Sequence, residues 1–65
     1  MKQETIICVI ESAIGFHGIK GELIAEQIGI SYTYLRQIIQ GERGFSQETY
    51  EKAVLWYENY ISLFN

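Results

Sequence analysis

A chain of 65 residues with one cysteine and one histidine has to hold its shape by apolar packing, within itself or against a partner. One cysteine closes no internal disulfide, and tetrahedral zinc needs about four ligands, so no metal or other cofactor is expected. A chain this short buries only about 60% of the surface exposed when unfolded, so little apolar surface can be spared. Its composition suits that demand: 48% of residues are apolar and 20% charged, a globular balance. It has no proline, so its six glycines are the only strong punctuation.

Between the glycines, the apolar residues recur at helical spacing. In residues 3 to 14 the β-branched cluster resembles a strand, but Ile6, Ile10, Ala13 and Ile14 repeat as on a helix, with Glu4 and Glu11 off the stripe. A helix is the expectation. Gly15, Gly18 and Gly21 make the next seven residues a turn. Residues 22 to 28 form a short helix stopped by Gly29, which accepts a positive φ. Ser31 is a favourable N-cap for a third helix at 32 to 40. Ser46 caps a fourth, running from about Gln47 to Phe64.

Two of these segments carry functional signals. In residues 32 to 40, Leu35, Ile38 and Ile39 share one side, while Thr33, Arg36, Gln37 and Gln40 share the other. Arginine pairs with guanine edges and glutamine with adenine edges, so the polar stripe suits base reading. A solvated helix face has the same pattern. The last helix has two apolar stripes: Tyr50, Val54, Tyr57, Ile61 and Phe64, and Ala53, Trp56, Tyr60 and Leu63. Either both form one wide core face, or one is surplus. The second reading makes Trp56, Tyr60 and Leu63 a dimer or partner surface. The expected core is Ile6, Ile10, Ile14, Ile24, Ala25, Ile28, Leu35, Ile38, Tyr50, Val54 and Tyr57.

Residues 19 to 50 resemble the helix-turn-helix of the phage Cro and repressor family, the XRE-like group. The residues that carry this are Ala25, Gly29, Ser31, Leu35, Ile38 and Gly41, at matching intervals, with Arg43 and Phe45-Ser46 following. The resemblance implies an all-α fold: a compact bundle of about four helices containing a helix-turn-helix, with a long C-terminal helix, in a single domain over residues 1–65. It also implies binding to double-stranded DNA, with the second motif helix in the major groove. Carried over position by position, Tyr32, Thr33 and Gln37 fall where base edges are read, and Arg36 serves a base or a phosphate. Lys20, Tyr34, Gln40 and Arg43 are the expected backbone contacts. The chain departs from the family pattern at Gly21, where glutamine is common, and at Ile39, where glutamate is common.

Charge runs against this resemblance. Five Lys and Arg face eight Glu, a net charge of −3. Affinity for DNA comes largely from cations displacing counterions, so a monomer is expected to bind weakly and a homodimer to reach two half-sites about 34 Å apart. Alternatively, the fold binds protein and modulates another DNA-binding protein through its tyrosines and Trp56. Catalysis is not expected: His17 lies in a glycine-rich turn with no serine or aspartate constellation around it. The longest apolar run, Ile6 to Ile10, is far short of the ~20 residues that span a bilayer. No segment reads as a secretory leader. The expected setting is the cytoplasm, with Cys8 reduced and buried.

Overall fold

A computed structural model describes residues 2–63. Four helices follow one another along them: α1 (Gln3–Gly15), α2 (Gly21–Ile28), α3 (Tyr32–Ile39) and α4 (Gln47–Ser62). No strand is present among the described residues. The Cα radius of gyration is 10.7 Å, matching the value of about 10.7 Å for a compact chain of this length. No helix among the described residues is long and apolar enough to cross a membrane.

Each helix contributes a narrow stripe to one core. Ile6, Ile10 and Ala13 come from α1, Ile24, Ala25 and Ile28 from α2, Leu35 and Ile38 from α3, and Ala53 and Trp56 from α4. Phe45 joins them from the loop before α4. Each fully buried isoleucine or leucine contributes about 1.5–3 kcal/mol relative to exposure. Ala25 and Ala53 are small and almost wholly buried. Small side chains let helix axes approach closely, and α2 packs on both α3 and α4.

The joints are built from local hydrogen bonds. Gly29 ends α2 at φ 93°, and the Ile30 N–H donates back to the Ala25 carbonyl at 2.9 Å. This double-back suits a left-handed glycine after a helix. The Ser31 side chain then accepts the Tyr34 N–H, and the Ser46 side chain accepts the Thr49 N–H. Both caps are where the sequence places them. Thr49 is itself buried, its hydroxyl accepting from Ser46 at 2.9 Å.

Four expectations need correction. Cys8 is exposed, not buried. It lies two residues from Ile6 and two from Ile10, which turns it to the far side of α1. Ile14 is 36% exposed, because the core stripe of α1 runs through Ala13 instead. Tyr50, Val54 and Tyr57 are only half-buried and flank the core. The face of α4 that enters the core is Thr49, Ala53 and Trp56, so residues of both stripes pack on the core and the deepest come from the stripe expected to face a partner. Phe64, the expected end of the last helix, lies outside the described residues.

Candidate nucleic-acid interface

The turn after α2 and the Ser31 cap set α3 with Leu35 and Ile38 buried beneath it. That packing turns the polar stripe outward. Tyr32, Thr33, Arg36, Gln37, Gln40 and Glu42 together line one shallow concavity of about 260 Å³. Thr33, Arg36 and Gln40 are exposed and Gln37 is half-buried. The stripe is therefore one continuous surface carrying donors and acceptors, able to meet the edge of a flat polar ligand.

Tyr32 is partly committed to packing. Its ring sits so close to Gly21 that a Cβ there would lie 2.7 Å from the ring. A side chain at position 21 would therefore displace the ring, which fits glycine standing where the resembled family commonly has glutamine. The Arg36 guanidinium lies 5.9 Å from the centre of the same ring, within cation–π range. Lys20 is exposed at the N-cap position of α2, where its carbonyl accepts the Leu23 and Ile24 N–H groups.

Tyr34 does not stand free on the flank. Its hydroxyl accepts the Ser46 N–H at 3.3 Å. That bond, with smaller help from the Thr49 and Ser46 hydroxyls and the nearby Arg43 charge, holds the phenol below its ordinary pKa. The Arg43 guanidinium lies over the Tyr34 ring, 5.0 Å from its centre. The loop carrying Arg43 is tied at both ends. At its start the Glu42 N–H donates to the Gln37 carbonyl at 2.9 Å. At its end the Phe45 N–H donates to Gln3 Oε1 at 3.3 Å.

The expected partner surface is only partly a surface. Trp56 is 7% exposed, and its indole N–H donates to Gln27 Oε1 at 2.9 Å. Tyr60 stacks on it at 5.1 Å between ring centres. Both are packed within the fold, so they offer a partner only the edges that line a groove. Leu63 alone of the three stands out, at 78% exposure, joined by Leu55 at 62% and Leu23 at 46%. These leucines rim a groove of about 570 Å³ between α2 and α4, with Trp56 and Tyr60 also lining it.

Sequence reasoning missed Leu23 and Leu55, and it counted Glu42 among the opposing charges without placing it in the concavity. Leu55 lies on neither apolar stripe of α4, and that isolation was the available signal. Glu42 is placed by the turn that closes α3, which spacing along a helix does not describe. Among the described residues no group of three or more His, Cys, Asp or Glu could hold a metal ion. No protein family, no curated protein and no solved structure matches the chain.

Proposed function

We propose that this protein is a sequence-specific double-stranded-DNA-binding transcriptional regulator of the Cro and repressor type. It would act in the cytoplasm, and the resemblance favours a phage or mobile-element setting. The observation that carries the reading is the outward stripe of Thr33, Arg36 and Gln37 on α3 with Gln40 at its C-cap, held by the buried Leu35 and Ile38 beneath it. In this reading α3 enters the major groove, where Arg36 donates to base edges and Gln37 both donates and accepts. Lys20, Gln40 and Arg43 meet phosphates on either side. The action is steric: an occupied operator excludes or redirects polymerase. No bond is made or broken, so no catalytic residue or cofactor is assigned.

Two copies are part of the proposal. Arg36 lines the reading face and Lys20 and Arg43 are its expected flanking cations; Glu42 on the same face, with Glu22 and Glu26 of α2, subtracts from them. Doubling them across a two-fold axis restores affinity. The leucine-rimmed groove between α2 and α4 has the character of the joining surface: of the eight glutamates none lines it, and its one charged residue, Lys52, is paired with Glu48. Two like-charged chains approach most easily through such a face. Leu55→Glu should therefore yield a monomer in sedimentation while the helix content stays intact. A dimer that persists would move the joint elsewhere.

Selection from a random duplex pool at about 50 mM salt, with the salt slope then measured, tests the central reading. A two-fold symmetric motif with half-sites one helical turn apart supports it. Gln37→Ala should then cost about 1–3 kcal/mol at one base pair and relax the preference there. Folded protein that enriches nothing refutes it, and shifts the weight to protein binding at the leucine-rimmed groove.

A further inference from the structure

Arg43 sits midway along the loop between α3 and α4, and nothing in its own sequence position explains why it should have a fixed direction. Tyr34 supplies one. This tyrosine lies in the first turn of α3, yet it touches the loop at two places. Its ring lies under the Arg43 guanidinium at 5.0 Å. Its hydroxyl accepts the Ser46 N–H at 3.3 Å, where the loop becomes α4. The remaining ties leave the loop little freedom. Gly41 and Glu42 N–H groups donate to the Ile38 and Gln37 carbonyls at its start. Gln3 of α1 and the buried Phe45 hold its end.

We propose that Tyr34 is a positioning residue that aims Arg43 at the DNA backbone. The proposal rests on the DNA-binding reading above. A chain with net charge −3 has few cations to offer a phosphate. An arginine on a flexible stem loses rotamer freedom when it closes on one; an arginine already stacked on a ring has lost part of that freedom on folding. Tyr34 therefore contributes to DNA affinity without touching DNA. Its ring, more than its hydroxyl, carries the effect, because the ring holds the guanidinium and the hydroxyl holds the backbone of Ser46.

The test uses the full chain, the duplex enriched by selection, and four variants: Tyr34→Phe, Tyr34→Leu, Arg43→Ala, and Tyr34→Leu with Arg43→Ala. Arg43→Ala should lower the salt slope by about 0.9 per protomer, about 1.8 for the dimer, and weaken all sequences alike. Tyr34→Leu should weaken binding by about 3- to 10-fold, the range of the ordering cost of one long side chain. Adding Tyr34→Leu to Arg43→Ala should cause no further loss, since the two act as a unit. Tyr34→Phe keeps the ring and should retain most of the affinity. A DNA-free readout accompanies these: the Arg43 side-chain proton shifts, displaced by the ring in the parent and in Tyr34→Phe, return to ordinary values in Tyr34→Leu. Losses that add in the double variant, or Arg43 shifts unchanged in Tyr34→Leu, overturn the positioning role alone. A parent protein that binds no duplex, with the Arg43 shifts still displaced, overturns the DNA reading and the proposal's consequence for affinity with it.

Discussion

The indole of Trp56 fills the junction of α2 and α4, and its N–H is satisfied by Gln27. Truncation to alanine should cost about 3–5 kcal/mol, the range for a large aromatic in a core. Trp56→Phe keeps most of the apolar body but loses the hydrogen bond and some volume. It should cost about 1–2 kcal/mol. Urea unfolding followed by circular dichroism checks both, since the only tryptophan is removed. Tyr34 makes a prediction about pH. Its phenol is held below the ordinary value of about 10. As pH rises toward 10 the folded state releases this proton before the unfolded state does. Stability from the shift is therefore absent at neutral pH, grows between the lowered folded pKa and about 10, and is fully present only above that. In an alkaline absorbance titration Tyr34→Phe should remove an early-titrating tyrosine. A titration curve that loses only its latest step would contradict this. Sequence spacing alone missed the settings of both residues, because Trp56 reads equally well as core or partner surface, and the bond from Ser46 to Tyr34 crosses from one element to another.

At the scale of elements, the sequence was highly legible. Residues 3 to 14, 22 to 28 and 32 to 40 are helical to within a residue at each end. The reason is local: Ser31, Ser46 and Gly29 satisfy or turn the helix ends by contacts a few residues away. Two glycines of similar sequence appearance should respond in opposite directions. Gly29 holds φ 93°, so Gly29→Ala should destabilise by about 1–2 kcal/mol. Gly15 is the last residue of α1, is not among the positive-φ glycines, and has open space around it. Gly15→Ala should stabilise by about 0.4–1 kcal/mol. Thermal melts of the pair test the assignment, and a shift of the same sign in both would sink it. What stayed illegible at this scale was facing. Helical period states which residues share a side, but not which side is covered. On α1 that ambiguity sent Ile14 inward, and on α4 it put Tyr50, Val54 and Tyr57 deeper than Ala53 and Trp56.

For the whole molecule, a net charge of −3 opposes the approach to DNA that the proposed function requires. Glu42 lines the same concavity as Arg36, Gln37 and Gln40. In the proposed complex it stands close to phosphates and opposes them. Glu42→Gln should therefore raise affinity by about 2- to 5-fold at low salt, with the gain fading as salt is added. An unchanged affinity would place Glu42 away from the duplex. The sequence by itself determined an all-α chain, the number and order of its helices among the described residues, the Ser31 and Ser46 caps, and the grouping of polar residues on one side of α3. Each follows from interactions within a few residues along the chain. Only the tertiary structure decided that Trp56 is core, that Leu23, Leu55 and Leu63 rim a groove, and that Tyr34 reaches the loop bearing Arg43. Those depend on which helix packs against which, and so on the summed fit of side chains far apart in sequence.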